Sequence, residues 1–189
     1  MTQLNYHKSI LLLIIAVVIL ILFMQSIASA EGFGGYIGLF ADDQRDEYCI
    51  EIDPSITFSM WVFVWPFGEG ILAVGLSVQY CDNVIQVEEE YNPLLHGGSI
   101  GNLNDGFDAV FEECQTDWVW VARQTLYMVN EEGCILRISG FPPNSYADML
   151  SCASNYYLLR EFSMLGVNVP CSSLSTEESS WGAIKNLYK

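Results

Sequence analysis

Basic and imidazole side chains are scarce in this chain, which carries 7 Lys and Arg against 23 Asp and Glu, and only 2 His. The net charge of −16 repels phosphate backbones and anionic headgroups, so nucleic acid and anionic lipid surfaces are excluded as partners. The shortage of imidazole limits catalysis too. Beyond the first thirty residues only His96 remains, in Leu94-Leu95-His96-Gly97-Gly98, and no nucleophile motif or Gly-x-Ser-x-Gly elbow accompanies it. It reads as an ordinary loop residue. No two Cys stand two residues apart, which removes the zinc-knuckle and thioredoxin-like patterns. Sustained helical periodicity is missing as well, and the chain is expected not to be an enzyme.

Acidic residues are absent from Met1 to Ala30, and that stretch has its own pattern. A short polar start holding His7 and Lys8 runs into an uncharged apolar block from Ile10 to Phe23, then into Ala28-Ser29-Ala30. Charge, apolar block and small residues in that order predict a signal peptide over residues 1–30, cleaved to leave Glu31 first. The rival is a retained anchor, because Ile27 and Ala28 extend the block toward the roughly 20 residues that span a bilayer. Membrane contact is otherwise not expected, and the product is exported to a periplasmic, extracellular or surface location.

All 6 Cys follow Ala30, an even number in an exported chain, which implies three disulfides. Six Cys allow about 15 connectivities, and spacing does not choose among them. The working expectation joins Cys152 to Cys171, Cys49 to Cys114 and Cys81 to Cys134.

From Glu31 onward short runs rich in Val, Ile, Phe, Tyr and Trp alternate with Gly, Pro, Asn and Asp clusters, the rhythm of strands and turns. Thr57 to Trp65 places Phe58, Met60, Val62 and Val64 on one face and Trp61, Phe63 and Trp65 on the other. Pro66-Phe67-Gly68-Glu69-Gly70 is a strong turn signal, and Ile71 to Tyr80 is the expected hairpin return. A short strand from Val84 runs into Glu88-Glu89-Glu90, which must be solvated. Asn92 to Gly106 reads as a long loop. Trp118 to Val129 is the longest strand, with Trp118, Trp120, Ala122, Leu126 and Met128 facing inward, and Cys134 to Ser139 is its expected hairpin partner. Tyr146 to Phe162 is compatible with a short helix or with a strand. About eight strands predict an all-β, two-sheet antiparallel sandwich over residues 31–171, with an open barrel as the alternative.

Residues 172–189 form a polar linker followed by Trp181-Gly182-Ala183-Ile184-Lys185-Asn186-Leu187-Tyr188-Lys189. Trp181, Ile184, Leu187 and Tyr188 recur at helical spacing, so the tail is a candidate docking signal for sorting machinery or a short helix folded onto the domain.

Three motif sets resemble a known group. Gly35-Tyr36-Ile37-Gly38-Leu39-Phe40-Ala41-Asp42 with Cys49 downstream, Val110-Phe111-Glu112-Glu113-Cys114-Gln115, and Ser151-Cys152 with Val169-Pro170-Cys171 and the Trp-Gly-Ala-Ile-Lys-Asn-Leu-Tyr ending resemble a family of small, uncharacterised exported bacterial β proteins. The resemblance implies an immunoglobulin-like or cohesin-like sandwich without an assigned activity. Cys81 and Cys134 look like additions to its pattern.

Two functional clusters remain. Asp42, Asp43, Asp46 and Glu47 crowd one loop, and Asn102, Asn104, Asp105 and Asp108 crowd another around Gly106, a density of hard oxygen donors that suits calcium. Gly101 and Leu103 fall where an EF-hand needs ligands, so that motif fails. Trp61, Phe63 and Trp65 alternate as a sugar-stacking row does, although filling the space between the sheets is their expected role. The expected function is a non-catalytic binding or structural module with a protein or carbohydrate partner. A carbohydrate-binding module and a small hydrolase using paired carboxylates are the alternatives.

Overall fold

The protein is described here by a computed structural model covering residues 32–96, 100–140 and 146–174. The signal segment and the C-terminal tail therefore lie outside the described residues. The chain divides into Met1–Gly32 and Phe33–Lys189, and every described element belongs to the second unit.

Twelve strands and one 3-10 turn follow in order: β1 Phe33–Phe40, β2 Cys49–Ile50, β3 Thr57–Pro66, β4 Ile71–Gln79, β5 Val84–Tyr91, β6 Ile100–Asn102, β7 Gly106–Gln115, β8 Val119–Met128, β9 Cys134–Ser139, β10 Asp148–Ser151, β11 Tyr156–Ser163 and β12 Leu165–Val167, then Cys171–Ser173. The first layer runs β11-β1-β3-β8-β5. The second is built on β4, which takes β7 and its partner β6 on one edge and β10 and then β9 on the other; β12 and β2 continue from β9. β10 also pairs with β11 and so carries the ladder from one layer to the other. Pairing is antiparallel except for β1 with β11 and β2 with β12. This is the expected all-β sandwich.

Alternation explains which faces meet. Ile37 and Leu39 of β1, Met60, Val62 and Val64 of β3, and Leu126 and Met128 of β8 are buried and pack against Val74 and Leu76 of β4 and Phe107 and Phe111 of β7 in one core. The core includes a polar group. Gln124 is fully buried, accepts the Tyr80 hydroxyl and donates to Glu89 Oε1 at 2.9 Å. Burial pushes the Tyr80 phenol above its ordinary range.

Both expected hairpins are corrected. β3 pairs with β1 and β8 while β4 pairs with β7, β9 and β10, so the turn at residues 67–70 moves the chain from one layer to the other. β8 and β9 are likewise in different layers. A turn signal marks where a chain reverses, whereas the choice of partner is made by apolar faces distant in sequence. The hairpins that do form are β6–β7 and β10–β11. β6 interrupts the expected Asn92–Gly106 loop, and the undecided Tyr146–Phe162 segment supplies two strands.

Three disulfides form: Cys49–Cys171, Cys81–Cys134 and Cys114–Cys152, with Cα–Cα distances of 5.7, 5.9 and 5.7 Å. Cys81–Cys134 is as expected, and the other two exchange partners. The parallel pairing of β2 with β12 carries Cys49 to the C-terminal end of the domain. β7 and β10 flank the start of β4, which brings Cys114 and Cys152 together across it.

Candidate functional site

The expected place of Trp61, Phe63 and Trp65 between the sheets is corrected: they lie on the outer face of the first layer, opposite buried Met60, Val62 and Val64. Neighbouring strands extend the tract. Tyr36 and Phe40 of β1 reach it from one side, Trp118 and Trp120 from the other, and Phe162 of β11 closes against Tyr36 and Trp118. All four Trp of the described residues thus share one sheet face.

Trp118 and Trp120 were expected inward with Ala122, Leu126 and Met128. A register shift against β3 between Val62 and Phe63 accounts for the difference, since Val62 pairs with Ala122 and Phe63 with Trp120, leaving Val121 as an extra residue. Such a bulge reverses the facing of everything on one side of it. Ala122, Leu126 and Met128 remain inward, and Trp118 and Trp120 turn outward.

The rings interlock. Trp65 stacks on Trp118 with centroids 5.8 Å apart, and Trp61 stacks on Phe63 at 6.1 Å while Trp120 meets Trp61 edge-on at 5.4 Å. Phe63 and Phe40 are buried beneath the layer, whereas Trp61, Trp65, Trp118 and Trp120 stay half-buried. Two arginines that composition did not single out complete it. The Arg45 guanidinium lies 5.1 Å from the Phe63 centroid and 5.3 Å from that of Trp118, and Arg123 lies 5.3 Å from Trp61. Each ring–guanidinium contact adds about 0.5–1 kcal/mol at an exposed site. Arg45 has φ 64°, and this left-handed backbone turns its side chain back over the rings.

An open groove of about 560 Å³ crosses one end of this face. Trp61, Phe63, Trp118 and Trp120 form its floor, and Asp43, Arg45, Asn92 and Gln115 are its polar neighbours. Asn92 is committed to the fold, donating to the Trp120 carbonyl and accepting the Leu94 N–H. Arg123 is held by Glu90 at 3.5 Å and Ser59 at 3.4 Å.

The candidate calcium loops close on themselves. Asp42 Oδ1 accepts the N–H groups of Asp46 and Glu47, and Asn102 Oδ1 accepts those of Asn104 and Asp105 while its amide donates to Asp105 Oδ2 at 3.0 Å. Asp108 stands apart on β7. Among the described residues no three acidic, imidazole or thiol side chains gather in an arrangement that holds a metal. His96 is exposed, 4.0 Å from Glu112, and makes no hydrogen bond to a Ser, Thr or Cys side chain among the described residues.

Comparison with solved structures identifies the architecture as cohesin-like. The type II cohesin domain from the cellulosome of Acetivibrio cellulolyticus aligns with a TM-score of 0.54 at 9% identity, covering 71% of this chain and 95% of that one. The sixth cohesin of scaffoldin B from the same organism, solved in complex with a Cel5 dockerin, gives 0.51 at 11% identity over 72% and 99%. A non-cellulosomal cohesin from the archaeon Archaeoglobus fulgidus gives 0.51 at 8% identity over 79% and 96%. No protein-family model and no curated protein sequence matches the chain.

Proposed function

We propose that the chain acts at the cell exterior as a non-catalytic binding module, with the outer aromatic face of its first layer as the recognition surface. The carrying observation is the gathering of four half-buried Trp on one sheet face, since large open ring tracts on soluble domains mark interaction sites. Three disulfides support export to an oxidising compartment. A protein partner is supported by fold neighbours solved bound to dockerins. A carbohydrate partner is the second reading, favoured by the outward placement of Trp61 and Trp65, which gives rings access to solvent.

The test is retention of the disulfide-bonded protein on isolated cell-surface protein and cell-surface polysaccharide fractions, beside a Trp61→Ala/Trp118→Ala variant. Retention on either fraction that the double variant loses supports the proposal. Equal retention of both proteins, or none, overturns it.

A further inference from the structure

We infer that the groove at Trp61, Phe63, Trp118 and Trp120 binds a segment of a neutral polysaccharide. The inference rests on the binding-module reading and takes up its second, carbohydrate partner, which the groove itself favours. Three features of the groove select that chemistry. The floor is aromatic, and pyranose rings present flat C–H faces that pack on indole. Several hydrogen-bonding groups at the rim are still available. The Arg45 guanidinium makes no hydrogen bond or ion pair among the described residues and is held only over the rings of Phe63 and Trp118. The indole N–H groups of Trp61 and Trp120 likewise have no acceptor among the described residues, while Asp43 offers carboxylate oxygens and Gln115, whose amide donates to Glu113 O, keeps its own oxygen. Hydroxyls, each donor and acceptor, match that mixed set, whereas an apolar surface would leave it unpaired.

The third feature is charge. Asp43 and Arg45 both line the groove, and Arg123 beside it is paired with Glu90, within a chain of net charge −16. A polyanion is repelled by the whole-molecule field, and the guanidinium groups of Arg45 and Arg123 over the rings oppose a polycation at this face. A neutral ligand is the one that selects this face. The volume of about 560 Å³ lies within the usual range for small-ligand clefts, roughly 300–1,000 Å³, and the groove is open, so a chain can pass through it.

The experiment is affinity gel electrophoresis of the intact oxidised protein through gels containing glucomannan, hydroxyethyl cellulose, arabinoxylan or polygalacturonate, with tryptophan fluorescence titration of any ligand found. At least one neutral polymer is expected to retard the protein and to shift its fluorescence. Trp61→Ala and Trp120→Ala should each weaken that binding about tenfold or more, and Arg45→Met several-fold, while Ile85→Ala on the far edge strand leaves it unchanged. Near-ultraviolet dichroism confirms that each variant is folded, and Trp61→Phe, which keeps a ring, should retain part of the affinity. The inference is overturned if no neutral polymer retards the protein, if retardation survives both Trp substitutions, or if polygalacturonate binds best. Polymer binding that fails while retention on the protein fraction depends on Trp61 and Trp118 overturns the ligand assignment and leaves the binding module standing.

Discussion

Gly70 lies directly beneath the Cys114–Cys152 bridge: a Cβ placed on it would stand 2.8 Å from Cys114 Sγ and 3.1 Å from Cys152 Sγ. Its φ of +74° is also a conformation that side chains resist. Gly70→Ala is therefore expected to destabilise the domain by about 2–4 kcal/mol, combining left-handed backbone cost with displacement of the bridge sulfurs and of the Gln115 carbonyl oxygen, also 2.8 Å away. Urea unfolding measures it. In a Cys114→Ala/Cys152→Ala background the contacts with sulfur disappear while the Gln115 carbonyl oxygen at 2.8 Å remains, so the same substitution should cost less there but still more than the roughly 1 kcal/mol of the backbone alone.

Peptide mapping under non-reducing conditions should recover Cys49–Cys171, Cys81–Cys134 and Cys114–Cys152. Replacing Cys81 and Cys134 together removes a closure over a sequence separation of 53, worth about 4 kcal/mol in the chain-entropy account. A loss of stability below about 1 kcal/mol would show that the bridge constrains little.

Phe63 and Trp61 are neighbours on one face with different burdens. Phe63 is 4% exposed and packed by Phe40, Trp118 and Arg45, so Phe63→Ala is expected to cost about 3–4 kcal/mol. Trp61 is half-buried, and Trp61→Ala should cost less than about 2 kcal/mol. Thermal or urea melts of the two variants check the order, and the reverse order would mean that the outer ring supports the fold.

Two carboxylates give opposite pH responses. Glu69 accepts hydrogen bonds from Asn155, Ser151 and Tyr157, and these hold its carboxyl below the usual range. Its stabilisation is present above the ordinary carboxylate value and is lost as pH falls through the lowered folded value. Burial raises Glu161 instead, against the N–H of Ile138 donated to its Oε1 at 2.7 Å and the nearby Arg137 charge. The folded state then holds that proton more tightly, so stability falls as pH rises from the ordinary carboxylate value through the raised one. Glu161→Gln should abolish this decline, and Glu69→Gln should abolish the acid-side loss. Urea midpoints between pH 3 and 7 would separate them, and unchanged profiles in both variants would refute the assignment.

The layered β architecture was legible because strands covered on one side announce themselves by alternation. Phe58, Met60, Val62 and Val64 are spaced by two, and all four are buried. The same rule misplaced Trp118 and Trp120, since one added residue at Val121 reverses facing and leaves no mark in composition. Pairing was less legible still. Turn residues between β3 and β4 promised a hairpin, yet each strand finds its neighbours tens of residues away. Cysteine partners inherit that non-local choice, which is why only Cys81–Cys134 was anticipated. For the site, Trp61, Phe63 and Trp65 stood out as a row, whereas Arg45 emerged only from the left-handed turn that folds it back over Phe63.

β1 lies between β3 and β11, and its parallel alignment with β11 means that the first strand of the described residues is completed by the eleventh. A nascent chain must keep Phe33–Phe40 available, with one edge unsatisfied, until Tyr156–Ser163 has been synthesised. Closure of that edge therefore waits on Tyr156–Ser163, and a product stopped short of residue 156 is left with an open, sticky border rather than a smaller stable domain.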